Sequence, residues 1–122
     1  MSSVTATRVA AVSGFMAVAL GAFGAHALKN VLAQNGMAAV WETAVFYHFI
    51  HAVMLFLLAG RKPFATVAWW CFLAGIVVFS GSLYLLAATG ARWLGAVTPF
   101  GGVSLLAGWV CLFINAAKTN GP

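Results

Sequence analysis

Charge is what this sequence has least of. Only 6% of its 122 residues are Asp, Glu, Lys or Arg, and a single one is acidic, Glu42. A water-soluble domain carries about a quarter charged residues, so water is not the solvent this chain is built for. The same scarcity excludes a disordered chain, which is polar and highly charged. Cysteine is scarce too. Cys71 and Cys111 have no CxxC partner and no metal-type spacing, and they read as two small buried hydrophobes with free thiols. Paired carboxylates, a nucleophile elbow and a phosphate loop are all missing. No motif names a reaction, and the chain is not expected to be an enzyme.

What is there is hydrocarbon: 64% of the residues are hydrophobic. The apolar runs come in one length class, which an aggregated or purely oligomeric soluble state does not explain. Crossing ~30 Å of hydrocarbon takes about 20 apolar residues in a helix, and residues 9–28, 38–60, 64–88 and 99–117 each fit. Barrel strands are alternating segments of about 10 residues, whereas these runs are longer and apolar on all sides. A helix also satisfies its own backbone inside lipid. The expected architecture is an all-α integral membrane protein: a single domain of four transmembrane helices in a compact antiparallel bundle.

The punctuation agrees. Asn35-Gly36 breaks the chain before the second run, Gly60 and Gly90 stand where αL C-caps are wanted, and Lys62-Pro63 marks a turn. Thr98 is expected to cap the fourth helix, with Pro99 in its first turn. At the N-terminal end, Arg8, an apolar run and Ala25-His26-Ala27 mimic a signal peptide. The run exceeds the usual 7–15-residue apolar core of such peptides, so it reads as a retained first helix.

The basic residues are isolated and flank the runs, so the net charge of +5 signals topology and headgroups, not nucleic acid. An even number of spans puts both termini on one side, with Arg8, Arg61, Lys62 and Lys118. Lys29 and Arg92 fall on the other. The positive-inside rule then favours cytoplasmic termini. Small residues suit close helix packing in lipid: Gly14, Ala17, Gly21 and Gly24 in the first run, Gly75 and Gly81 in the third, Gly101 and Gly108 in the fourth. Trp41, Trp69, Trp70 and Trp93 read as an interfacial aromatic belt, and Trp109 as packing.

Ionisable residues inside spans are expensive and mark candidate sites. His26, Glu42, His48 and His51 fall there, and topology brings them toward Tyr47, Ser80, Ser82, Tyr84 and Thr98 in the outer half of the bundle. His48 and His51 share a helix face at spacing three, and Tyr47 and His51 at spacing four. The plainest reading is that neutral histidines bond across helices and that Glu42 pairs with Lys29 or Arg92.

Several stretches in order carry a family resemblance: GAFGAHAL at 21–28, WETAVFYHFIHA at 41–52, FSGSLY at 79–84, TPFGG at 98–102 and Gly108-Trp109. Together they resemble the small four-span family known as domain of unknown function 423. Its bacterial members are UPF0382-type membrane proteins, and its animal relatives are named transmembrane protein 256. The resemblance spans about residues 9–117. It implies a multi-pass protein of the bacterial inner membrane and no particular activity. His26, Glu42, Tyr47, His51, Ser80, Tyr84, Thr98 and Pro99 fall on its motif positions. His48 stands where many members carry glutamine, which weakens a mechanism built on a His48–His51 pair and leaves a His26–His51 pair untouched.

Three functions fit these residues. The first is a non-enzymatic bundle that binds lipid or a membrane-protein partner, as an accessory subunit or a homo-oligomer. The second is an oligomeric transporter or channel lined by the His/Glu/Tyr cluster. The third is a metal or haem protein using two histidines. No cofactor is called for, although haem or a metal stays open under the third.

Overall fold

The computed structural model describes residues 1–119, with side chains through residue 117. The side chain of Lys118, part of the sidedness reading, lies outside what is described. Four helical rods are long and apolar enough to cross a bilayer: Ser3–Ala25, Ala38–Ala59, Thr66–Thr89 and Arg92–Ile114. They run as α1 (Ser3–Ala25), α2 (Lys29–Asn35) and α3 (Ala38–Ala59), then α4 (Thr66–Gly75), a π-helical segment (Ile76–Ser80) and α5 (Gly81–Thr89). A 3-10 segment (Arg92–Ala96), α6 (Thr98–Ile114) and a short α7 (Ala116–Thr119) follow and complete the described residues. The rods pack antiparallel as expected, α1 on α3, α3 on the third span, and the third span on α6.

No substantial contact joins α1 to α6. The four rods therefore form an open series, with α3 and the third span inside and α1 and α6 on the flanks. The larger cluster of the core combines Ala6 and Ala10 of α1 with Leu55, Leu58, Trp69, Phe72, Ile76 and Leu105.

Several boundaries differ from expectation, each for a local reason. Helix α1 starts at Ser3, ahead of residue 9, because the Ser2 hydroxyl accepts the Thr5 N–H and caps it. It ends at Ala25, so His26 is its C-cap rather than part of the span. Residues 29–35 form α2. The Asn35 amide donates to the carbonyls of Ala87 (2.9 Å) and Ala88 (3.3 Å), which satisfies acceptors at the end of the third span. Gly36 and Gly90 adopt the left-handed C-cap conformation at φ 66° and 73°, whereas Gly60 stays right-handed at φ −92°. Thr98 does not cap α6. The 3-10 segment leads into that helix through Val97, and the Thr98 hydroxyl turns toward the third span instead. The Lys62–Pro63 peptide is cis.

Five of the seven glycines expected at close contacts make them, and so does Ala17, which is fully buried. Gly21 faces Val45, Gly24 lies under the Trp41 indole, Gly75 meets Leu105, and Gly108 lies against the Phe72 ring. Gly101 is closest of all, since a Cβ there would overlap the Phe79 backbone nitrogen. Gly14 and Gly81 are corrections: a Cβ on either meets nothing within 4 Å. Their spacing puts them on a stripe, but no neighbouring rod comes within reach of a Cβ at either position. Gly14→Ala and Gly81→Ala are accordingly expected to be neutral or to stabilise by about 0.5 kcal/mol through helix propensity. Denaturant titration in mixed micelles checks this, and a loss above that size at either position contradicts it.

The tryptophans divide likewise. Trp70 and Trp93 are exposed, as a belt requires. Trp41 and Trp69 are buried, donating their indole N–H to the Leu20 carbonyl (2.8 Å) and the Leu55 carbonyl (3.2 Å), so they join helices instead of marking an interface.

Candidate functional site

The polar residues of the spans do not gather into one cluster. They form separate clasps between rods, at different depths. Every buried side-chain nitrogen or oxygen among the described residues has a hydrogen-bond partner, as expected where no water competes.

The first clasp joins three rods. His48, at the midpoint of α3 and almost fully buried, places Nδ1 2.8 Å from the Tyr84 hydroxyl of α5 and Nε2 3.2 Å from the Ser13 hydroxyl of α1. Tyr84 is held in turn by an edge-on contact with Trp41, ring centroids 4.8 Å apart. Because both of its partners are hydroxyls, His48 can be replaced by any side chain of similar reach offering one donor and one acceptor. Glutamine does so. His48→Gln is therefore expected to stay within about 1 kcal/mol of the parent, and His48→Ala to lose about 2 kcal/mol by stranding two hydroxyls. Equal losses in micellar unfolding would contradict the clasp.

The second clasp joins α3 to α6. His51 is buried, with Nδ1 2.7 Å from the Tyr47 carbonyl and Nε2 3.1 Å from the Trp109 indole nitrogen. A carbonyl only accepts and an indole N–H only donates. The partners therefore assign His51 as the neutral Nδ1–H tautomer, with its Nε2 lone pair occupied. The ring also packs on Phe72, and Tyr47 stacks alongside it.

Two smaller clasps tie the π-helical segment and its flank. Ser80, the most buried hydroxyl, donates to the Ala44 carbonyl at 2.8 Å, and Ser82 and Thr98 share a hydrogen bond of 2.6 Å. The remaining expected residues stand apart. His26 is exposed at the end of α1, so it forms no pair with His51. Glu42 is exposed on the rim of a groove of about 480 Å3, walled by Gly21, Gly24, Trp41, Val45 and Phe49 and roofed by Leu32 of α2. Tyr47 is half-exposed on a second groove, of about 360 Å3, with Phe79 and Trp109. His48 and His51 bond to different partners and not to each other.

Among the described residues no three His, Cys, Asp or Glu side chains come together as metal ligands do. Cys71 and Cys111 are free thiols on α4 and α6. Sequence reasoning missed Ser13 and Trp109. Ser13 had a signal: it is a polar residue at the middle of an apolar run, level with His48. Trp109 had two, its depth and its place in the Gly108-Trp109 stretch, but both read as packing and neither showed its bond to His51.

The similarities of the chain to known proteins agree with this architecture. Residues 20–102 match the family described as "Protein of unknown function (DUF423)". The chain is 42% identical over 114 residues to the UPF0382 membrane protein YwdK of Bacillus subtilis, covering 88% of this chain and 92% of that one. It is 43% identical over 110 residues to the UPF0382 membrane protein SH2409 of Staphylococcus haemolyticus, covering 87% and 89%. It is 42% identical over 114 residues to the UPF0382 inner membrane protein YgdD of Escherichia coli, covering 89% and 86%. No solved structure matches. With four apolar rods in place and similarity of this extent along them, the chain belongs to the DUF423 family of membrane proteins.

Proposed function

We propose that this protein is a non-enzymatic helical bundle of the inner membrane that binds a lipid or a partner membrane protein along its bilayer-facing grooves. The observation behind this reading is where the polar atoms go. The buried ones are hydrogen-bonded, chiefly from rod to rod, while the grooves left over on the outside of the rods are lined mostly by apolar side chains. The inner-membrane placement rests on the relative in Escherichia coli, named an inner membrane protein. Cytoplasmic termini rest on Arg8, Arg61 and Lys62 at one end of the rods against Lys29 and Arg92 at the other.

The test is extraction in mild detergent followed by native mass spectrometry. A specific lipid or protein retained in constant proportion is expected, and a bare chain in every mild detergent overturns the reading. For sidedness, a reporter fused after the last residue is expected to be active only in its cytoplasmic form, and the reverse overturns that part. The oligomeric transporter or channel has less support, because the hydroxyl–imidazole–hydroxyl chain through His48 ends against apolar side chains at mid-depth. Proteoliposome flux that depends on His51 and Glu42 would favour it instead.

A further inference from the structure

A third groove, of about 330 Å3, lies between α1 and the third span, with Val9, Val12, Met16, Leu73, Ile76 and Val77 along its walls. It is apolar except where Ser13, His48 and Tyr84 reach it. Ser13 and His48 are both more than nine-tenths buried.

The polar hydrogens of this clasp outnumber its hydrogen bonds. Ser13 and Tyr84 each bring one O–H, and a neutral imidazole brings one N–H. Three hydrogens serve two hydrogen bonds, His48–Tyr84 and His48–Ser13. Neither hydroxyl has a second partner among the described residues, so one hydrogen is left over in either tautomer. A charged imidazole adds a fourth and worsens the imbalance. The phenol is the stronger donor, and its contact is the shorter, 2.8 against 3.2 Å. Tyr84 therefore donates to Nδ1, the Nε2–H donates to Ser13, and the hydrogen without an acceptor belongs to Ser13. A polar hydrogen left unbonded in hydrocarbon is strongly unfavourable.

We infer that the groove binds a lipid-soluble carbonyl compound of quinone type, whose oxygen accepts a hydrogen bond from Ser13. This deepens the proposed binding role and rests on it. Depth selects the ligand. Ser13 and His48 sit at the midpoints of α1 and α3, about 15 Å from either end at 1.5 Å per residue. The ester carbonyls of phospholipids belong to the interfacial layer outside the ~30 Å hydrocarbon core and do not reach that level. A quinone carries its carbonyls on an uncharged ring with no headgroup to hold it at the interface, so it can reach that level. The groove is at the small end of the volumes of ligand sites, which suits a single ring with its tail running on between the lipids.

The experiment uses the full chain in micelles, titrated with decylubiquinone. Tryptophan fluorescence is the readout, since Trp41 contacts Tyr84. Saturable quenching is expected. Ser13→Ala is expected to weaken it about tenfold, the loss of one neutral hydrogen bond. Val77→Phe fills the groove from its exposed side, leaves the clasp intact and is expected to abolish saturation. It keeps the test decisive if Ser13→Ala folds poorly by circular dichroism. A linear titration, or one that neither variant changes, overturns the inference and leaves water as the acceptor. If extraction retains a phospholipid or a protein partner while quenching stays linear, only this inference falls. If lipid, partner and quinone are all absent, the proposed function falls with it.

Discussion

Gly101→Val is expected to destabilise the bundle by about 3 kcal/mol, the upper end of what overpacking a core costs. The reason is that the obstacle is main chain. A side chain on Gly101 of α6 would run into the Phe79 backbone nitrogen inside the π-helical segment, and backbone cannot turn aside as a rotamer can. The fourth rod would have to lift off the third, loosening the Ser82–Thr98 bond and the Trp109–His51 bond with it. The neighbouring glycine is the control. A Cβ on Gly102 meets only the Phe79 ring at 3.6 Å, an ordinary contact, so Gly102→Ala is expected to stay within about 0.5 kcal/mol. Unfolding in detergent mixtures, followed by tryptophan fluorescence, measures both. Similar losses at the two positions would show that the close approach of α6 to the third span is not as described.

The second large effect is at His51. His51→Leu is expected to cost about 3 kcal/mol, because it leaves the Trp109 N–H without an acceptor in a medium that offers none. Trp109→Phe removes that stranded donor, so the double variant should be less damaged than the sum of the singles. The coupling is expected near ~1 kcal/mol, within the range measured for hydrogen bonds between membrane helices. Losses that add within about 0.5 kcal/mol would mean that the two side chains act independently.

The rods were legible in the sequence because a bilayer sets a length, and four apolar runs of that length leave little else to build. Gly36 and Gly90 were legible for a local reason, since each ends a helix where only a residue without a side chain turns left-handed cheaply. Azimuth was not legible. A helix that is apolar on all sides carries no stripe to say which way it faces, so depth grouped His26, Glu42, His48 and His51 without showing that only the last two face inward. The same blindness put Gly14 and Gly81 at interfaces they do not reach and made belt residues of the buried Trp41 and Trp69. The π-helical segment was invisible, because its residues read like any other apolar helix. It becomes explicable only with Ser80 bonded to the Ala44 carbonyl and Gly101 pressed against Phe79.

The separation of the first and last rods bears on how the protein is made. Each rod after the first packs on the one synthesised just before it, so each interface can form as soon as its second rod is inserted. The α1–α3 hairpin can close while the rest is still emerging from the ribosome, and the second hairpin can then dock against its finished face. Insertion order and assembly order coincide. A chain cut in the loop after Gly60 therefore retains, in each half, a hairpin with its own internal packing, ready to find the other by diffusion in the plane of the membrane.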